Sequence, residues 1–274
     1  MPTIQQTLKS STQIPLLDTE LLLAHSIKKE RTFVKAHPEK KLGLFEYFKF
    51  KYFLSKRKKG IPFAYITGTQ EFYGREFKVN KNTLIPRPET EMFIDLIKDQ
   101  KADCIIDIGT GSGTIGVTLA KEINASNTKI FGSDVSKKAL KTAKNNAKIL
   151  KTNIEFIQGS LLTPYLEKKC IQDSESLVIA ANLPYITEKQ FESENSIQKE
   201  PKLALVAEDS GLALYIQLLG QMKGLQNKKI QTYFEIDPNQ TKRLKKEILK
   251  VFPNAKIKIH KDLCGLDRIV EFSK

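Results

Sequence analysis

With 274 residues, 40% of them hydrophobic, the chain is long for one domain and comfortable for one of about 200 residues with a small appendage. No apolar run approaches the ~20 residues that cross a bilayer, and Leu21-Leu22-Leu23-Ala24, flanked by Asp18, Glu20 and His25, lacks the basic start of a leader, so a cytoplasmic protein without a membrane partner is expected. The formal net charge of +14 invites a nucleic-acid reading, but only six of the basic residues are arginines and the lysines are spread along almost every segment.

Residues 1–71 read as a helical domain. Asp18 to Ile27 places Leu21, Leu22 and His25 on one stripe, and Leu44, Phe45, Phe48, Tyr52 and Phe53 repeat the spacing of three and four. The basic clusters Lys56–Lys59 and Lys242–Lys246 read as solvated helix faces, which leave room for contact with RNA without requiring it. Gly60-Ile61-Pro62 stops the helical pattern. Residues 72–84 follow as a linker, in which the Phe77/Val79 alternation predicts a short β-hairpin.

Residues 85–274 form the third segment. Strands are expected at Cys104–Ile108, Lys129–Ser133, Ile154–Ile157, Leu177–Ala181, Ile230–Ile236, Ala255–Ile259 and Arg268–Phe272. A helix is expected from Gly113 to about Lys121, and another begins near Ser136, its N-cap, with Ala139, Leu140, Ala143, Ala147 and Leu150 as the buried stripe. Strands alternating with helices predict an α/β fold: a doubly wound, mostly parallel seven-stranded sheet covered on both faces. Cys104, Cys170 and Cys264 are dispersed, and His25, His37 and His260 lack partners at ligand spacing, so neither a disulfide framework nor a metal site is expected.

Two strand ends carry the chemistry. Asp107-Ile108-Gly109-Thr110-Gly111-Ser112-Gly113 is a glycine turn at a strand end, where open α/β sheets collect ligands. Its Gly-x-Gly-x-Gly spacing departs from the dinucleotide fingerprint. Asp134, at the next strand end, is placed to accept ribose hydroxyls, which suits an adenosine-containing cofactor. The second strand end is Asn182-Leu183-Pro184-Tyr185. Asn182 Oδ1 and the Leu183 carbonyl can accept the two N–H bonds of a planar NH2 group, Pro184 fixes φ, and Tyr185 offers a ring face. An amide nitrogen is a poor nucleophile whose proton no side chain readily removes first. Two acceptors that tighten as the nitrogen gains positive character stabilise the transition state more than the ground state. Together the two strand ends suggest methyl transfer from a sulfonium cofactor to an amide or amino nitrogen.

These residues resemble the N5-glutamine methyltransferases that modify the Gly-Gly-Gln loop of bacterial peptide chain release factors. The likeness spans most of the chain beyond residue 60, and its most diagnostic block is Leu84-Ile85-Pro86-Arg87-Pro88-Glu89-Thr90-Glu91. Further matches are Glu200-Pro201, Gly211-Leu212 and Gly265-Leu266-Asp267-Arg268. The resemblance implies a Rossmann-like methyltransferase domain, S-adenosyl-L-methionine as cofactor and class 1 release factors as protein substrates of a monomer. It also implies cofactor contacts from Gly109, Thr110, Gly111, Ser112, Gly113, Asp134, Leu161 and Asn182, with Thr90 and Glu91 near the cofactor ammonium. Asn182, Leu183, Pro184 and Tyr185 would grip the glutamine as the catalytic group, with Arg87 as a further substrate contact. The family usually has Asn-Pro-Pro-Tyr, so Leu183 restores an N–H that proline lacks. Asn-Leu-Pro-Tyr is also the form found in ribosomal RNA adenine dimethyltransferases, which makes an rRNA adenine-N6 methyltransferase the alternative. Domain order argues against it, because about a hundred residues precede the glycine turn here. A binding module without turnover is a third reading, opposed by the intact Asn182.

Overall fold

The structure is a computed structural model that describes residues 1–123, 127–225 and 228–274. By its internal contacts the chain divides into two units, Met1–Thr69 and Gln70–Lys274.

The first unit contains α1 (Ile4–Lys9), α2 (Leu16–Ser26), α3 (Arg31–Ala36), α4 (Leu44–Lys58) and α5 (Phe63–Thr67). Thr3 starts α1 through a capping box with Gln6, each side chain accepting the other residue's backbone N–H. The buried face of α2 is Leu22, Leu23 and Ser26, with Leu21 and His25 at its margin. On α4 the expected spacing is present, but of its residues Phe53 alone is buried. Phe50, Phe53 and Leu54 enter the core, whereas Leu44, Phe45, Phe48 and Tyr52 are exposed, Phe45 to 79%. Helical period defines two faces of a helix; it does not say which one is covered. The pattern that stops at Gly60-Ile61-Pro62 resumes for one further turn, α5, closed by Gly68 in the left-handed conformation.

A hairpin of β1 (Thr69–Phe72) and β2 (Arg75–Lys78) begins at Thr69, the last residue of the first unit, and continues into the second. Its two turn residues, Tyr73 and Gly74, both have positive φ (50° and 68°), as a type I′ turn requires. Phe72 and Phe77 are buried edge to face across it. A 3-10 turn at Pro88–Glu91 then leads into α6 (Met92–Ile97).

The sheet follows as β3 (Cys104–Ile108), α7 (Thr114–Glu122), β4 (Lys129–Asp134), α8 (Lys137–Ile149), β5 (Glu155–Gln158), α9 (Lys169–Gln172) and β6 (Ser176–Ala181). After it come α10 (Glu188–Ser193), α11 (Glu208–Gly211), α12 (Ala213–Met222), β7 (Lys229–Glu235), α13 (Thr241–Val251), β8 (Lys256–Lys261) and β9 (Asp267–Ser273). The strand order is β5-β4-β3-β6-β7-β9-β8, parallel from β5 to β7, with β9 antiparallel to both neighbours.

Alternation along the strands divides the core between the two faces. Cys104, Ile106 and Ile108 of β3 join Leu177, Ile179 and Ala181 of β6 on the face covered by α12 and α13. Ile105, Val178 and Ala180 point the other way, against α6, α7 and α8. Ser136 caps α8, its Oγ accepting the Ala139 N–H at 3.2 Å.

The chain winds outward from β3 to β4 and β5, then returns to place β6 on the other side of β3. Strand order therefore reverses between β3 and β6. Ile108 pairs with Ala181, so the glycine turn and Asn182 leave the sheet as neighbours at that switch point. Among the described residues, no helix is long and apolar enough to cross a membrane.

Candidate active site

The glycines of the turn do different jobs. All three have positive φ: 72° at Gly109, 56° at Gly111 and 83° at Gly113. A Cβ on Gly109 would stand 3.0 Å from Leu183 Cδ2, so this glycine lets the turn lie against the tip of β6. A Cβ on Gly113 would meet Ala143 at 3.1 Å, which makes Gly113 a packing residue for α7 and α8.

Two acids brace the turn. Asp134 Oδ2 accepts the Gly111 N–H at 3.0 Å while Oδ1 accepts that of Ser136 at 2.8 Å. Burial raises its pKa, and the two backbone donors act against that rise. Asp107 Oδ2 accepts the Thr110 hydroxyl at 2.6 Å and the Gly116 N–H at 3.0 Å. Its Oδ1 is buried with no hydrogen-bond partner among the described residues. Burial pushes the carboxyl up to about 6.

The tip of β6 is held from behind. The N–H of Leu183 donates to Tyr215 Oη at 3.2 Å, and the Tyr215 hydroxyl donates to the main-chain oxygen of Glu235. Asn182 Nδ2 donates to Thr90 Oγ1 at 3.1 Å, and Thr90 donates in turn to Glu235 Oε2 at 2.7 Å. The Tyr185 hydroxyl donates to Glu235 Oε1 at 3.3 Å. Glu235 is 1% exposed, and burial, only partly offset by Thr90, Arg268 and Tyr185, lifts its carboxyl to about 6. The Tyr185 carbonyl accepts from Gln240 Nε2 at 2.8 Å, which also donates to Ser210 O at 2.9 Å.

A cavity of about 320 Å³ opens between the strand tips. It brings together seven of the residues expected from the sequence: Gly109, Gly111, Asp134, Leu161, Asn182, Leu183 and Pro184. The others lie outside its lining. Thr110 is turned onto Asp107, and the Ser112 carbonyl accepts from Asn146 Nδ2. Thr90 and Tyr185 sit behind Asn182, on Glu235. The Glu91 carboxylate accepts the Tyr73 N–H at 2.8 Å and so braces the hairpin turn rather than the cavity. Arg87, expected on the substrate, is paired with the buried carboxylate of Glu200.

Other residues of this site were matched only as motif, without a role, or missed. Glu200 also accepts the Ile85 N–H at 2.9 Å, which joins the Leu84–Glu91 block to the 201–204 loop. The cavity is lined by Leu84 and the preceding Lys81–Thr83 on one side and by Pro201, Leu203 and Ala204 on the other. Tyr215, Glu235 and Gln240 lie behind the strand tip, and none is assigned a role from the sequence. A larger, shallow hollow of about 850 Å³ runs along α13 between Lys242, Lys245, Lys246 and Lys250, away from the glycine turn and the tip of β6. Among the described residues no cluster of His, Cys, Asp and Glu has a metal-holding arrangement.

Comparison with known proteins gives two family matches: a PrmC N-terminal domain over residues 3–68 and a methyltransferase domain over residues 99–235. The release factor glutamine methyltransferase of Bacillus subtilis is 36% identical over 262 residues, covering 92% of this chain and 88% of that protein. That of Staphylococcus aureus is 38% identical over 230 residues, covering 82% and 80%. Among solved structures, a methyltransferase from Pyrococcus furiosus superposes with a TM-score of 0.54 at 16% identity, over 80% of this chain and 98% of that one. The hMettl16 catalytic domain bound to a MAT2A 3′UTR hairpin reaches 0.56 at 14% identity, over 81% and 90%. Those two likenesses show the fold.

Proposed function

Because the chain belongs to the release factor glutamine methyltransferase family, we propose that it methylates the side-chain amide nitrogen (N5) of the glutamine in the Gly-Gly-Gln motif of class 1 peptide chain release factors. Its cofactor is S-adenosyl-L-methionine. The residues present suit that group. The cavity has the size of small-molecule sites, glycine backbone on one side, the Asp134 carboxylate for ribose hydroxyls, and Leu161 and Ala139 as an apolar wall for adenine. Bound there, S-adenosyl-L-methionine supplies an electrophilic methyl group on sulfur.

The chain's own residues handle the nitrogen. Asn182 Oδ1 and the Leu183 carbonyl accept its two N–H bonds and hold the amide plane fixed. Both acceptors gain strength as positive charge develops on nitrogen, and fixed placement supplies the proximity contribution. Pro184 fixes φ after the Leu183 carbonyl, and Tyr185, seated on Glu235 behind Asn182, anchors the strand tip that carries the two acceptors. The proton leaves after transfer, when the nitrogen is acidic, so no dedicated base is assigned.

The observation that carries this reading is the orientation of Asn182: its nitrogen is engaged by Thr90, which leaves Oδ1 for an incoming N–H. Competition tests it. Given S-adenosyl-L-methionine, a release factor and ribosomal RNA together, the protein should place one methyl on the Gly-Gly-Gln glutamine. Transfer to an RNA adenine with none to the factor would favour the adenine-N6 reading that Leu183 raises.

A further inference from the structure

Glu235 is a buried carboxylate with no part in the chemistry assigned above. It lies at the end of β7, behind the tip of β6, and meets two hydroxyl groups that stand behind Asn182. Oε2 takes the hydroxyl hydrogen of Thr90 at 2.7 Å and Oε1 that of Tyr185 at 3.3 Å. A hydroxyl has one hydrogen. Once Thr90 gives its hydrogen to Glu235, only lone pairs remain for Asn182, and they attract the nitrogen end of the carboxamide.

We propose that Glu235 is a positioning residue for Asn182: by taking the Thr90 hydroxyl hydrogen it makes Thr90 an acceptor, which turns the Asn182 oxygen toward the glutamine. The inference rests on the methyltransferase reading, and it explains what that reading leaves open. A carboxamide offers an oxygen and an NH2 of nearly equal shape, and only the oxygen can accept from the substrate. The polarity of a relay 145 residues apart in sequence selects between them.

The relay reverses when the carboxyl carries a proton. A protonated Glu235 donates to Thr90, the Thr90 hydroxyl then donates to Asn182, and the amide turns its NH2 toward the substrate NH2. The groups facing Glu235 are Thr90 and Glu89 from the 3-10 turn, Tyr185 after β6, Tyr215 of α12 and Arg268 of β9. Arg268 is itself paired with Asp262 at 2.9 Å. Since burial lifts Glu235 to about 6, the productive orientation is present above that pH and lost below it.

The test compares wild type, Glu235→Gln, Thr90→Val and Thr90→Ser, using S-adenosyl-L-methionine and a release factor. Thr90→Val should lower kcat by about tenfold or more, as expected when a transition-state acceptor is misdirected, with the affinity for S-adenosylhomocysteine within about twofold. Glu235→Gln, which keeps an acceptor for Thr90 but takes no proton, should instead lose the acid limb of kcat near pH 6. Thr90→Ser, which keeps the hydroxyl, should recover most of the rate. In protein labelled with 15N-asparagine, the Asn182 side-chain amide signal (identified by its loss in Asn182→Ala) should titrate near pH 6 in wild type and not in Glu235→Gln. A Glu235→Gln enzyme that keeps the wild-type acid limb, or a Thr90→Val enzyme with wild-type kcat, would overturn the inference. So would an Asn182 signal with the same titration in both proteins. If wild type transfers no methyl, the proposed function fails, and the amide titration still decides the role of Glu235.

Discussion

The main-chain N–H of Leu183 donates to the phenolic oxygen of Tyr215 at 3.2 Å. The family usually has proline at this position, with no N–H to satisfy. Tyr215 is fully buried and passes its own hydrogen to the Glu235 carbonyl, so it holds the ends of β6 and β7 together. Tyr215→Phe strands a buried donor, at an expected cost of about 1–3 kcal/mol. In a Leu183→Pro background that donor is absent, and the same change should cost about 1 kcal/mol less. Urea unfolding of the four proteins of this cycle measures the coupling. Strictly additive effects would mean that the contact carries no energy.

Gly211 shows why a glycine follows the left-handed residues Asp209 and Ser210. Its φ is 82°, and a Cβ there would stand 1.9 Å from the Tyr185 carbonyl oxygen and 2.3 Å from Gln240 Nε2. Gly68 has nearly the same φ, 78°, with nothing within 4 Å. Gly68→Ala should therefore cost only the backbone strain, about 1 kcal/mol. Gly211→Ala should add about 1–3 kcal/mol for displaced neighbours and should disturb the grip on the substrate. Calorimetry on both variants separates the two contributions. Equal costs would show that the close approach to Tyr185 is unimportant.

The central sheet and the two strand ends were legible because their signals are local. The continuous apolar runs in Cys104–Ile108 and Leu177–Ala181 mark strands filling both faces of a sheet, and doubly wound connectivity then brings the glycine turn and Asn182 together. What lies behind the site was not legible. Arg87 and Glu200 are 113 residues apart, and no period links them, so Arg87 read as a substrate contact. The same holds for Thr90 and Glu235. Insertion of β9 between β7 and β8 is set by strand pairing across the sheet rather than by any pattern within a strand. On α4 the spacing named an apolar stripe, of which Phe53 is buried and Leu44, Phe45, Phe48 and Tyr52 are exposed.

Asp107 predicts a specific pH signature. Its carboxyl sits at about 6 in the folded protein against an ordinary 3.8, because burial disfavours the charge. Between those values the folded state holds a proton that the unfolded chain has lost, so this group's contribution to stability falls as pH rises through the window. The full penalty above it is about 3 kcal/mol. Asp107→Asn keeps an acceptor for Thr110 and Gly116 and has no charge to bury. Its stability relative to wild type should therefore rise from pH 4 to pH 7 and then level. A difference that does not change with pH would contradict this assignment.

Two substitutions separate cofactor binding from turnover. Asn182→Ala removes an acceptor that works mainly in the transition state, so kcat should fall by about 10²–10³ with S-adenosylhomocysteine affinity largely kept. Asp134→Ala should instead weaken that affinity by roughly 1.5–3 kcal/mol, because the lost carboxylate braces Gly111 and is the acceptor proposed for the ribose hydroxyls. Titration calorimetry beside steady-state rates distinguishes them. Near-normal turnover in Asn182→Ala would remove that residue from the mechanism.

The most direct measurement is a crystal structure of the protein with S-adenosylhomocysteine and a peptide carrying Gly-Gly-Gln. The glutamine nitrogen should lie within hydrogen-bond reach of both Asn182 Oδ1 and the Leu183 carbonyl, with Asn182 Nδ2 still on Thr90. A glutamine bound away from the β6 tip, or an Asn182 that turns its nitrogen toward the substrate, would contradict the account.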